Sequence, residues 1–264
     1  MGNIKLYQKN YIASHPRAAI LLIHGLHEHC ERYHELGELF QTNEISVYTF
    51  DLRGHGKSEG EKHFISSVDE YVEDVKMVFA DIPKNLPLYV LGHSMGGLIA
   101  VNFLLANKDH KISGLILSGA ALKPGKDITP FKEKLVRWLA VFFPKLKTVP
   151  VKPELVSRDK NEVNKYKNDP MIPLHGAKAG LGVALLNSMD NIKDRFSEIS
   201  IPTLIMHGEA DQLTDPDGSK IFFNNVGSQD KTLQIWPGCY HEIFNEINKS
   251  DILDYTLKWV EQRI

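Results

Sequence analysis

Leu91-Gly92-His93-Ser94-Met95-Gly96-Gly97 is a G-x-S-x-G sequence set directly after an apolar run and directly before a helical pattern. A serine on a tight strand-to-helix turn holds its Oγ clear of the sheet, with the following amides turned toward it. Glycines two positions to either side relieve crowding in such a turn. The same pattern also occurs in ordinary glycine-rich turns, so the rest of the chain has to decide between the two readings.

Outward from this turn, short β-branched apolar runs alternate with longer helical patterns, the signature of strands and crossover helices in a largely parallel sheet. Strands are predicted at 18–24, 45–51, 88–92, 112–118, 203–207 and 232–236, and helices at 32–41, 68–80, 95–106, 218–225 and 251–263. Several runs, such as AAILLIHG, are apolar throughout, as central strands covered on both faces should be. Ser67-Val68-Asp69-Glu70 has capping-box spacing and marks a helix start. Between residues 118 and 203 the alternation fails. Pro124, Pro130, Pro144, Pro150 and Pro153 divide that stretch into short pieces. The expected architecture is therefore α/β: one domain over 1–264 with a mostly parallel central sheet, flanking helices and a helical cap, or lid, inserted at 121–198.

The 264 residues are 42% hydrophobic and 24% charged, which excludes a disordered, collagen-like or coiled-coil chain. Lys and Arg number 31 against 33 Asp and Glu, so nothing draws the chain electrostatically to phosphate backbones, and no nucleic-acid partner is expected. Cys30 and Cys239 are too few for a disulfide framework or a Cys-based zinc site. No apolar stretch follows a positive start, and no run approaches the roughly 20 residues that cross a bilayer. Gly2 invites a myristoylation reading, but Leu6 stands where that signal needs Ser or Thr. A cytoplasmic protein is expected, touching membranes from one side at most. Oligomeric state is not legible.

A serine hydroxyl is a weak nucleophile near neutral pH and needs a base, which in turn needs a group to fix its tautomer and stabilise its charged form. In a strand-turn-helix arrangement of this kind the chain order is Ser, acid, His. His241 lies in a loop directly after the last predicted strand and is the expected base. His207 also follows a strand closely, but its place before Gly208 suits a role at the edge of the core. Asp211 is the expected acid, with Asp215 next. Asp215 precedes Pro216 and Asp217 lies near a helix start, so both read more readily as turn or N-cap residues; Glu209 is a further rival. Charge developing on a carbonyl oxygen calls for two fixed amides. The N–H of Met95 and that of Leu26, in Ile23-His24-Gly25-Leu26-His27-Glu28-His29, are the candidates for this oxyanion hole. Three histidines in that loop raise a metal alternative, but the H-E-x-x-H helix spacing is lacking, and neither metal nor organic cofactor is expected. Asp51-Leu52-Arg53-Gly54-His55-Gly56-Lys57-Ser58 lacks phosphate-loop spacing and reads as a turn packed beside the oxyanion loop.

These residues resemble the α/β-hydrolase superfamily and, within it, the monoacylglycerol lipases and their lysophospholipase-like relatives. The resemblance runs nearly end to end, through His24 to His29 with Arg32-Tyr33, the Asp51 turn and Gly92 to Gly97. It continues through Asn168-Asp169-Pro170, His207 to Asp211, Ser228 to Leu233 and Tyr240-His241. It implies Ser94, Asp211 and His241 as a catalytic triad, in agreement with the residues chosen from context. It further implies hydrolysis of a fatty acyl ester of glycerol beneath a mobile, membrane-associating cap, with Glu28, Arg32 and Tyr166 holding the polar head. Where relatives can carry a histidine three positions beyond the catalytic one, this chain has Phe244, and Thr214 stands where some have cysteine.

The segment 131–143 puts Phe131, Leu135, Trp138, Leu139 and Phe142 at helical spacing. That suits either a lid helix dipping into a lipid surface or one packed on the core. A lysophospholipase or broad carboxylesterase could use the same triad. Epoxide hydrolases and dehalogenases need a carboxylate where Ser94 stands, and a ligand-binding receptor on this scaffold would have no need of a complete triad.

Overall fold

All six apolar runs form strands: β1 (Ala18–Ile23), β2 (Ile45–Phe50), β3 (Leu88–His93), β4 (Gly114–Ser118), β5 (Thr203–Gly208) and β6 (Lys231–Trp236). A computed structural model of the chain describes residues 4–108, 111–125, 128–147, 152–174 and 176–264; Gly2 and Pro150 fall outside them. The strands pair in parallel in the order β2-β1-β3-β4-β5-β6. From β1 to β5 nearly every strand residue is buried, which is why these runs are mostly apolar. β6 is half-exposed along its length and borders one side. On the other side the N-terminal segment lies antiparallel on β2, where Tyr11 and Val47 exchange two 2.8 Å backbone hydrogen bonds.

Helices α1 (His34–Thr42), α2 (Asp69–Asp81), α3 (Met95–Ala106), α7 (Pro216–Asn225) and α8 (Lys249–Glu261) flank the sheet. α3 is apolar on nearly all sides and buried, because sheet and neighbouring helices enclose it. Two helix starts depart from expectation. Residues Cys30–Tyr33 form a 3₁₀ turn before α1, so the helix predicted from 32 begins at His34. The capping box expected at Ser67 is displaced: Val68 is the N-cap of α2, and Glu70 instead reaches back to the Ser66 N–H at 2.8 Å. Its other oxygen takes Arg53 at 3.1 Å, an ion pair that local spacing does not encode.

Between β4 and β5 the chain runs through α4 (Pro130–Phe142), α5 (Lys160–Asn168) and α6 (Ala179–Ile192). Pro130 occupies the first position of α4, and the Thr129 hydroxyl caps it. Several contacts tie this stretch to the sheet side, Arg158 pairing with Glu246 at 2.8 Å among them. Lys145 and Lys178 both pair with Glu61, and Asp169 accepts from His29 Nε2 at 2.8 Å.

The turn from β3 into α3 is closely packed against backbone. A Cβ on Gly96 would run into the Ile23 carbonyl oxygen and lie 2.6 Å from that of His24. One on Gly92 would lie 2.7 Å from the Gly97 Cα. Backbone cannot yield there as a side chain would. Gly96→Ala should therefore destabilise the protein by about 3 kcal/mol or abolish folding. Gly182→Ala, in α6 with only Val136 near at 3.9 Å, should stabilise it by about 0.5 kcal/mol. Urea unfolding of both variants checks the pair, and equal effects would contradict the packing argument.

Candidate active site

Ser94 sits between β3 and α3 with φ 54° and ψ −119°, a conformation that L-residues seldom adopt. The surroundings hold it there. Its N–H donates to the Ser118 carbonyl at 2.9 Å, and its own carbonyl accepts from Ala121 at 2.9 Å and Gly97 at 3.0 Å. His93 Nδ1 approaches the same Ser118 oxygen at 2.9 Å, so two consecutive residues pin the turn to β4. Burial pushes the His93 imidazole down to about 3, so it stays neutral at the pH of the cell.

The loops after β5 and β6 bring two more side chains to the same edge. His241 Nε2 lies 2.8 Å from Ser94 Oγ, and His241 Nδ1 lies 2.7 Å from Asp211 Oδ2. All three are buried. Burial disfavours a charge on Asp211, but the His241 charge and hydrogen bonds from His207 and His241 outweigh it and hold the carboxyl far below its usual range. Burial also disfavours the His241 cation, yet Asp211 beside it raises the imidazole above its ordinary value. Asp215 is occupied elsewhere: it caps α7 and pairs with Lys123 at 2.8 Å.

The loop after β1 faces the serine. Leu52 N–H donates to His24 Nε2 at 2.9 Å, so the ring proton is on Nδ1 and goes to the Gly25 carbonyl at 2.7 Å. That carbonyl belongs to the same peptide as the Leu26 N–H, so anchoring one fixes the direction of the other. Among the described residues neither the Leu26 nor the Met95 amide donates to another group, leaving both free for a ligand. The Gly25 N–H, in contrast, is taken by Glu28 Oε1.

Glu28, Arg32 and Tyr166 also meet, in a buried cluster. Arg32 forms a bidentate pair with Glu242 at 2.6 and 2.7 Å, reaches Glu28 at 3.4 Å, and lies 4.9 Å from the Tyr166 ring centroid. Glu28 further accepts from the Tyr33 hydroxyl at 2.9 Å. Burial pushes the Glu28 carboxyl up to about 7 against the pull of Arg32. Burial opposes ionisation of Glu242 too, but the bidentate guanidinium wins and brings it to about 2. A cleft of about 270 Å³ lined by Arg32, Tyr33, Asp169, Phe244 and Asn245 opens beside this cluster.

Glu242 has no place in the sequence reading; it follows His241 directly, and that adjacency is the signal that could have found it. His207 does more than fill the core edge, since its Nε2 lies 3.0 Å from Asp211 Oδ2. Among the described residues no set of three His, Cys, Asp or Glu side chains is arranged to hold a metal ion; His24, His27 and His29 diverge. The Asp51 turn packs under the oxyanion loop, its carboxylate accepting from the Cys30 and Lys57 amides at 2.8 Å each.

An all-parallel sheet that presents a serine at its carboxyl edge, with histidine and aspartate arriving from later strands, defines the α/β-hydrolase class. The chain belongs to the family described as serine aminopeptidase, S33, whose model matches residues 14–248. It is 33% identical over 253 residues to monoglyceride lipase of Homo sapiens, an alignment covering 94% of this chain and 84% of that protein. An uncharacterized abhydrolase domain-containing protein of Dictyostelium discoideum is likewise 33% identical over 253 residues, and there the match spans 94% of this chain but 27% of the longer protein. The crystal structure of Paleococcus ferrophilus monoacylglycerol lipase superposes with a TM-score of 0.89 at 30% identity, covering 98% of this chain and 100% of that one.

Because Glu242 alone gives Arg32 a bidentate partner, Glu242→Ala should leave a buried cation under-compensated and cost about 3 kcal/mol. Chemical denaturation checks this; a loss below about 1 kcal/mol would mean that water replaces the carboxylate freely.

Proposed function

We propose that the protein is a serine hydrolase that cleaves monoacylglycerols to fatty acid and glycerol. The observation that carries this reading is the continuous hydrogen-bonded line from Asp211 through His241 to Ser94 on the strained turn. Ser94 Oγ attacks the ester carbonyl as His241 Nε2 takes its proton, and Asp211 stabilises the imidazolium. The Leu26 and Met95 amides receive the developing oxyanion. Collapse of the tetrahedral species breaks the bond to the glycerol oxygen, which takes the proton from His241. Water, deprotonated by the same histidine, then attacks the acyl-Ser94 ester and releases the fatty acid with the serine hydroxyl restored.

We read 121–198 as the lid over this site, carrying the acyl end of the substrate. On α4, Phe131, Trp138 and Phe142 are 76%, 58% and 62% exposed, and Val141 and Phe143 join them. An apolar face of that size suits reversible contact with a lipid surface rather than core packing. No helix of the described residues is long and apolar enough to cross a membrane. Glu28, Arg32 and Tyr166 then border the glycerol end. Arg32 already has Glu242 and Glu28 as partners, which suits a neutral head group better than the charged one of a lysophospholipid.

Turnover across monoacylglycerols, lysophospholipids and short esters tests the substrate class, with monoacylglycerols expected to give the highest kcat/KM. Preference for lysophospholipids would overturn it. Ser94→Ala should lose fluorophosphonate labelling and at least about a thousandfold in kcat. Because His241 must be neutral to act and its pKa is raised, kcat/KM should fall as pH drops through a midpoint above 6.5. A midpoint below 6.5 would contradict the pairing. Replacing Phe131, Trp138 and Phe142 by serine should reduce partitioning onto liposomes, and unchanged partitioning would remove the membrane role of α4.

A further inference from the structure

The acid of the site is held by a second histidine, and the hydrogen-bond inventory around it is nearly closed. Asp211 Oδ1 accepts from the Leu213 and Thr214 amides at 2.8 and 3.1 Å. Oδ2 meets His241 Nδ1 at 2.7 Å and His207 Nε2 at 3.0 Å. The Thr214 hydroxyl also lies 2.9 Å from Oδ2, but its single proton can go instead to the Gly119 carbonyl at 3.0 Å. A carboxylate offers about four acceptor sites, so they are filled when His207 donates its Nε2 proton. The other ring nitrogen supports that tautomer, because Ser219 Oγ stands 2.7 Å from His207 Nδ1 and can donate to it. His207 and Ser219 are fully buried, so no solvent competes for these bonds.

We infer that His207 is a positioning residue, the middle of a relay Ser219–His207–Asp211 that fixes the carboxylate from behind and draws part of its charge away from His241. This rests on the reading of Ser94, Asp211 and His241 as the reacting set. Among the described residues no hydrogen bond joins His207 to Ser94; its effect passes through Asp211 and, beside it, through the Thr214 hydroxyl, which lies 3.2 Å from His207 Nε2 and 3.4 Å from His241 Nδ1. It sits at the end of β5, whose parallel pairing with β6 places the two loops side by side, so the sheet itself sets the distance between the two histidines and the carboxylate they share.

The sign of the effect follows from charge. Take away the His207 donor, and Oδ2 keeps more of its negative charge for His241, whose cation is then better stabilised. The other groups that act on His241 are Glu242, Glu28 and His93, and none of them changes in such a variant. His207→Leu should therefore raise the acidic midpoint of kcat/KM by about half a pH unit. Loss of carboxylate orientation should also lower kcat about tenfold or more, with KM changed less than threefold. His207→Gln can still offer an amide proton to Oδ2 and should recover kcat to within about threefold of wild type, with the midpoint restored. Ser219→Ala removes only the tautomer lock and should fall between the two.

The measurements are kcat, KM and pH profiles on one monoacylglycerol, with fluorophosphonate labelling rates as a second readout and thermal melts on every variant. Should His207→Leu not fold, the Gln and Ala variants carry the test: midpoints and kcat matching the expected order support the relay, while a Ser219→Ala profile identical to wild type overturns it. A His207→Gln variant as impaired as the Leu variant overturns the donor role. If the wild type labels at Ser94 and the His207→Leu profile is unmoved, this inference fails and the proposed function stands. If the wild type neither labels nor turns over esters, both fail.

Discussion

The backbone of Ser94 governs the rest of the molecule. A serine at φ 54° is unfavourable by roughly 1 to 2 kcal/mol, and it persists only because hydrogen bonds to Ser118, Ala121 and Gly97 over-determine it. Those bonds require β3 beside β4 and α3 close against β1, an approach that only glycine at 92 and 96 permits. The pairing of β3 with β4, the seating of α3 and the placement of Ser94 Oγ thus meet in a single crowded turn. The strain aims Oγ away from the sheet and toward the loops that follow β5 and β6.

Around that turn, charge is arranged in two buried groups of different kind. Asp211 and His241 form a couple in which the proton stays on the imidazole, since the carboxyl is held strongly acidic and the ring is made more basic. Arg32 and Glu242 form a bidentate ion pair with Glu28 beside it, and the guanidinium joins the loop after β1 to the loop of His241. His241 and Glu242 are neighbours in the chain, so the second group braces the first. Its desolvation cost is considerable, and such clusters are retained for geometry more readily than for stability.

Much of the fold is legible in the amino-acid order. Strands buried on both faces must be mostly apolar, and the five buried ones are, with their few polar residues hydrogen-bonded or set at strand ends. The turn at Ser94 is legible because its glycines answer a local steric demand, and Asp211 and His241 because each follows a strand at the edge where Ser94 emerges. What escapes is pairing at long range. Arg32 meets Glu242 across 210 positions, and His29 meets Asp169 across 140, with nothing in either neighbourhood to announce it. Local spacing also misleads where a tertiary partner competes, as Arg53 does for Glu70. His207 reads as core from its place at a strand end, and only the folded chain brings it against Asp211.

The two flanks of the sheet are unlike. One is covered by residues 7–11, which bond to the amides and carbonyls of β2; the other, β6, is half-exposed along its length. Among the described residues the β2 side is thus closed to strand addition, while the β6 side is the more open one. Peeling back residues 7–11 would open the β2 side as well, turning a molecule that can end a growing stack into one that can propagate it.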